Sequence, residues 1–361
     1  MHRLSPLPFR RAGAAAICLA LAAASVPARA DDPVKPPLRG LISMGAYKFV
    51  GQGGDPVNTL DQLNAKPGIF GGIVIVATWQ QLQPTPTSTL ADGNAIDQAL
   101  AEVRAYNAQN PGKPLGVKLR IWGGFEAPDW AKQLGGPAIE TVHNGKARTI
   151  GRFWSPEYRR AWARLQAMLA AKYDDRPLIR EVAMTGCMSY TAEPFFLPTN
   201  DASVMGPLQA AGYSDAANRE CLQQGVADYA PWKRTRIVLA VNPFYGTGGA
   251  PMGDAQFTIG VMRACRQAIG ARCVLDNHDL DATPPRAVLP LYAEMTNLGP
   301  EIEFQTFREN PADFEGTIAK GVALGASSIE LWQDYNGFPE VPDATLQRWA
   351  AMLERNTGQP N

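Results

Sequence analysis

Histidine is scarce in this chain: three occur in 361 residues, at positions 2, 143 and 278. None stands in a His-x-x-x-His or His-x-His arrangement, so the sequence offers no zinc site and implies no metal. The five cysteines contain no Cys-x-x-Cys pair, which removes dithiol redox chemistry and a zinc ribbon. Gly-x-Ser-x-Gly, the turn that exposes a nucleophilic serine in α/β hydrolases, is also missing. Beyond the first thirty residues no run approaches the roughly 18 apolar residues of a membrane-spanning helix. Charge of one sign is missing too, since 34 Lys and Arg meet 34 Asp and Glu. Without a basic excess there is no electrostatic footprint for nucleic acid or anionic lipid. A neutral partner and a cofactor-free chemistry are the expectation.

At the amino end Arg3, Arg10 and Arg11 precede an apolar stretch from Ala14 to Ala24, and Ala28-Arg29-Ala30 follows with small residues. This is the layout of a secretory signal peptide. Its removal after Ala30 would leave residues 31–361 as an exported chain, periplasmic or secreted, with 30 basic and 34 acidic side chains. Cys187, Cys221, Cys265 and Cys273 then remain, and an oxidising compartment favours two disulfides. Pairing of sequence neighbours gives Cys187–Cys221 and Cys265–Cys273, with the other two connectivities open.

Eight short apolar runs pace the chain at the interval of one strand plus one helix. They are Gly40–Met44, Gly72–Val76, Gly116–Ile121, Glu181–Met184, Arg236–Val241, Cys273–Leu275, Ile302–Gln305 and Ser328–Leu331. Between them lie amphipathic stretches, the clearest from Pro156 to Tyr173, where Tyr158, Trp162, Leu165, Met168, Leu169 and Tyr173 recur at helical spacing. Others cover Ala95–Ala108, Phe257–Ile269, Ala287–Leu298, Pro311–Leu324 and Ala344–Leu353, with a short one at Asp215–Gln224. Eight such units close a single (β/α)8 barrel, whose chemistry gathers at the carboxyl ends of the strands. Long connections over Trp130–Ser155 and Phe195–Trp232 are read as loops of that domain. Gly51-Gln52-Gly53-Gly54 is read as a flexible loop, because Asp55-Pro56 follows where a dinucleotide fold would begin a helix.

The residues after each run are therefore the candidates. Glu193, flanked by Tyr190, Phe195 and Phe196, follows the fourth run, and partial desolvation among rings favours the protonated form that a general acid needs. In the seventh run alternation puts Glu301, Glu303, Gln305 and Phe307 on one side. Glu303 is then either a nucleophile or a structural anion paired with Arg120. Asp276 and His278 share a side after the sixth run, and Glu330, Trp332 and Asp334 share one in the eighth. Asp276, Asp334 and Glu330 stay open as alternatives for the second carboxylate. Asp276, Asp279 and Asp281 lack the glycine turn and terminal Glu of a calcium loop and read as backbone-bonding polar residues.

Trp79-Gln80-Gln81-Leu82-Gln83-Pro84 resembles the Trp-x-x-Leu-Glu-Pro turn of clan A glycoside hydrolases, including the barrel β-galactosidases. Gly123–Trp130 is similar to their Gly-x-x-x-Pro-x-Trp segment, and Trp154-Ser155-Pro156-Glu157-Tyr158 to the lead into their fourth strand. The resemblance implies an acid/base Glu after strand four, matched by Glu193, and a nucleophile Glu ending strand seven, for which Glu303 is the candidate. It departs at Ala192, at Gln83 and at Gln305. Aromatics fall after nearly every strand: Trp79, Trp122, Trp130, Tyr190, Phe244, Tyr245, Trp332 and Tyr335. Flat rings stack on sugars, or else pack beneath loops. The reading is an exported glycosidase acting on an oligosaccharide or polysaccharide, with Glu193 and Glu303 catalytic. Trp79, Arg120, Trp122, Tyr190, Asn242, Asp276, His278, Gln305, Trp332 and Asp334 would bind substrate. The alternatives are a non-catalytic carbohydrate-binding barrel, and a lyase using Tyr190 or His278 as base.

Overall fold

A computed structural model of the chain describes residues 34–44, 59–143, 145–187, 192–308, 311–332 and 341–356. The expected signal peptide, the Gly51–Gly54 loop, Tyr190, Asp334 and Tyr335 lie outside the described residues. Among the described residues ten strands occur in the order β1 (Gly40–Ser43), β2 (Phe70–Thr78), β3 (Gly116–Trp122), β4 (Ile139–His143), β5 (Lys146–Ile150), β6 (Ile179–Ala183), β7 (Arg236–Ala240), β8 (Cys273–Leu280), β9 (Ile302–Thr306) and β10 (Ser328–Leu331). Eight of them, β1, β2, β3 and β6 to β10, coincide with the eight apolar runs. They close into a parallel barrel in chain order, β10 returning to pair with β1. This is the expected (β/α)8 architecture.

The covering helices follow from the amphipathic stretches. Pro156–Tyr173 starts where Ser155 accepts the amide of Tyr158 and a proline occupies the first turn, both favourable at a helix start. It buries Tyr158, Trp162, Leu165, Leu169 and Tyr173 against the sheet. Helices at Ala95–Gln109, Asp215–Gly225, Ala255–Ile269, Leu289–Leu298, Phe314–Ala323 and Asp343–Arg355 complete the outer layer.

Two elements depart from expectation. The connection read as a loop over 130–155 contains the antiparallel pair β4 and β5. Its signal was Asn144-Gly145 between two stretches of alternating residues, a hairpin turn pair. The connection over 195–232 contains a helix at Ala202–Ala210 that holds Pro207, a residue that argues against a helix in a sequence reading.

Most of the apolar core lies between barrel and helices. A second, separate cluster of Leu38, Ile42, Val74 and Val76 collects residues from β1, β2 and the segment before them. Gly116 makes room for it, since a Cβ there would stand 2.5 Å from Leu38. Both expected disulfides are present, Cys187–Cys221 and Cys265–Cys273. No described helix is long and apolar enough to cross a membrane.

The bridges close loops of different size, with sequence separations of 34 and 8. On the chain-entropy account the longer contributes about 4 kcal/mol and the shorter about 2.5 kcal/mol. Replacing Cys187 and Cys221 by Ser should therefore lower the thermal midpoint more than replacing Cys265 and Cys273, as followed by circular dichroism. The opposite order would place the effect in native packing.

Candidate active site

At the carboxyl end of the barrel lies a cavity of about 790 Å³. Its wall includes Met44 after β1, Arg120 and Trp122 of β3, Asn242 after β7, His278 and Asp279 of β8, Gln305 of β9 and Trp332 after β10. The loop after β6 adds Ala192, Glu193 and the stretch from Phe195 to Asp201. That loop is held at its base. Thr185 donates its hydroxyl to the Ile121 carbonyl and its amide to Tyr229, and Cys187 is tied to the helix at Asp215–Gly225 through Cys221.

Glu193 is gripped from two strands. One oxygen lies 3.1 Å from Nδ1 of His278, and the other accepts from Nδ2 of Asn242 at 3.1 Å. The Asn242 amide is oriented in turn, because its oxygen accepts from Asn277, whose own oxygen accepts the hydroxyl of Tyr292. On its far side His278 places Nε2 3.1 Å from Asp276. An imidazole between two carboxylates needs a proton on each nitrogen. Burial alone would lower its pKa, but Asp276 and then Glu193 outweigh burial and raise it to about 10. Burial likewise works against an ionised Asp276, yet His278 and Lys118 hold it well below the usual carboxylate range.

Beneath this layer is a second, fully buried one. Lys118 stands two residues before Arg120 on β3, so both point inward. Its ammonium is 2.5 Å from Glu303 and 2.6 Å from Glu330, while Arg120 grips Glu330 at 2.8 Å. Glu181 of β6 completes the set, 3.8 Å from Lys118. Desolvation, then the charge of Glu181, pushes the Glu303 pKa well above its ordinary value. Desolvation raises Glu181 as well. Glu303 Oε1 and Glu181 Oε2 have no hydrogen-bond partner, and a proton on this pair is what their raised pKa values favour. Burial opposes ionisation of Glu330 too, but Arg120 and Lys118 prevail and lower its pKa.

The sequence-derived candidates thus separate into three groups. Glu193, Arg120, Trp122, Asn242, His278, Gln305 and Trp332 meet at the cavity. Glu303, Glu330 and Asp276 lie below it, each wholly buried. Glu303 is fully buried, and its cation is Lys118 rather than the expected Arg120. Trp79 is a correction. It is fully buried, edge-on to Trp130, Tyr158 and Trp162, and its indole donates to Gln83. Trp130 and Phe244 also pack beneath the rim, whereas Trp122, Tyr245 and Trp332 line it. Among the described residues no three His, Cys, Asp or Glu side chains converge as metal ligands.

Asp279 was missed as a site residue. Strict alternation would turn it away from Asp276 and His278, but the pairing of β8 with β9 shifts register between Asn277 and Leu280. Such an irregularity re-aims a side chain, and Asp279 lines the cavity. The only sequence signal was the density of polar residues in Asp276-Asn277-His278-Asp279.

No protein-family model matches the chain, and no curated protein matches it in sequence. Solved structures do share its architecture. Endo-glycoceramidase II from Rhodococcus sp. superposes with a TM-score of 0.52 at 14% identity, over 89% of this chain and 80% of that one. The catalytic domain of β-amylase from Paenibacillus polymyxa gives 0.50 at 11% identity, over 91% and 96%. An endoglucanase from Pseudomonas stutzeri gives 0.51 at 13% identity, over 91% and 99%. At such identities the likeness speaks to the barrel fold.

The buried layer makes a stability prediction. Lys118→Met leaves Glu303 and Glu181 without their cation, while Arg120 keeps Glu330, and should cost about 3–5 kcal/mol. Glu303→Gln mimics the protonated acid that burial favours and should stay within about 1 kcal/mol of the wild type at neutral pH. Urea unfolding measures both, and a costly Glu303→Gln would mean that Glu303 is fully ionised.

Proposed function

We propose that the protein is a glycoside hydrolase that acts on a neutral or weakly charged oligosaccharide or polysaccharide after export. The observation that carries this reading is Glu193, a carboxylate held by His278 and Asn242 inside an aromatic-lined cavity at the catalytic end of a barrel. Trp122 and Trp332 offer flat faces for a pyranose ring, and Asn242, Gln305 and Arg120 offer groups for its hydroxyls. The glycosidase names of the structural neighbours, the sequence turns around Trp79 and Trp130, and the two disulfides support it.

A lyase with His278 as base is disfavoured by its charge. With a pKa of about 10 the imidazole has no lone pair to offer near neutral pH. The non-catalytic alternative is favoured by one feature: Gln305 stands on the cavity wall where the resemblance implies a nucleophile Glu, and Glu303 is locked to Lys118. One variant separates the two readings. Glu193→Gln should lower turnover of an accepted oligosaccharide about 10²–10⁴-fold while retaining its binding by calorimetry. Binding without turnover by the wild type would establish a carbohydrate-binding barrel instead.

A further inference from the structure

A two-carboxylate hydrolysis needs an acid besides Glu193 that reaches the ligand. Three acids line the cavity among the described residues: Glu193, Asp201 and Asp279. Asp201 is already engaged at the start of the helix at Ala202–Ala210, where it accepts the Ser203 amide at 2.9 Å and its hydroxyl at 2.6 Å. Asp279 is different. It is half-buried, it neighbours His278, and among the described residues no donor is bonded to its carboxyl; only its own backbone amide is bonded, to Asn277.

We propose that Asp279, turned into the cavity by the register shift in β8, is the proton donor of the reaction, with Glu193 as its partner. The assignment rests on the hydrolase reading and moves the donor role from Glu193 to a strand that the family resemblance does not implicate. Glu193 already accepts a hydrogen bond on each oxygen, the arrangement of a group that receives rather than gives. Asp279 has the complementary environment. Burial first, and then the negative charge of Glu193, raise its pKa to about 6, against a smaller opposing effect of His278. The other titratable groups facing it are Tyr245 after β7 and Tyr292 of the helix at Leu289–Leu298, both uncharged near neutral pH, their pKa values being raised chiefly by burial.

In the step itself, the Asp279 proton passes to the glycosidic oxygen as the bond from that oxygen to the anomeric carbon breaks. The bonding pair leaves with the oxygen. A water oxygen bonds to the anomeric carbon and gives its proton to Glu193, and exchange with solvent returns one proton from Glu193 to the medium and one from the medium to Asp279. Water is the only co-reactant.

Aryl glycosides of different leaving ability test this directly. Phenyl glycosides need protonation of the departing oxygen, and 2,4-dinitrophenyl glycosides do not. On a panel of α- and β-linked hexosides, Asp279→Asn should lower kcat on the phenyl series about 10²–10⁴-fold. It should stay within about tenfold of wild type on the dinitrophenyl series. In wild type, kcat/KM for the phenyl series should fall as pH rises through about 6, because the acid form is the active one, and this limb should vanish in Asp279→Asn. Asp279→Glu should restore part of the limb, which a merely structural role would not do. Glu193→Gln should lose both series. Equal loss on both series by Asp279→Asn, or an unchanged pH limb, overturns the assignment while leaving the hydrolase reading intact. No turnover of either series by wild type overturns both.

Discussion

His278 joins two carboxylates that would otherwise have no reason to be near each other. One ring nitrogen faces Asp276 in the buried interior and the other faces Glu193 at the cavity, both at 3.1 Å. An unpaired buried carboxylate such as Asp276 would cost several kcal/mol in desolvation, and a doubly protonated ring satisfies it together with the half-buried Glu193. Below it, Lys118 and Arg120 meet Glu330, Glu303 and Glu181, and burial raises the pKa of the last two. The interior is thus ionic where many barrels are packed with aliphatic side chains. Glu193 stands at the top of this column, and its position is inherited from the column.

The barrel was legible because parallel strands covered on both faces read as continuous apolar runs. The helix at Pro156–Tyr173 was legible for a different reason, its six apolar residues at helical spacing together with Ser155 and Pro156 at its start. Pro207 hid one helix, and the antiparallel pair β4 and β5 was overlooked despite the Asn-Gly dipeptide in the sequence between them. Among site residues, the alternation along β8 and β9 correctly grouped Asp276 with His278 and Glu303 with Gln305. What alternation does not encode is depth. Glu303 and Gln305 share a face, yet the first is sealed beneath the second by Lys118, a residue whose burial no one-dimensional pattern signals. Trp79 was ambiguous for the same reason, since a ring after a strand can line a cavity or support one. Asp279 depended on a register shift that only the paired neighbour reveals.

The placement of Gln305 separates architecture from chemistry. A shared barrel does not carry a reaction with it, and here the strand that the resemblance assigns to the nucleophile presents a neutral amide. The acids that remain at the cavity come from the loop after β6 and from β8. The same histidine organises the interior charge and holds Glu193 at the cavity. Removing it would therefore act on the fold and on the chemistry together.

The state of that ring can be observed directly. With so few histidines in the chain, nitrogen-15 NMR of labelled side chains can be assigned by substitution. The account predicts that His278 carries protons on both ring nitrogens at neutral pH and loses one only as pH approaches about 10. A neutral ring with a single N–H at neutral pH, titrating near the ordinary value of 6.5, would contradict it.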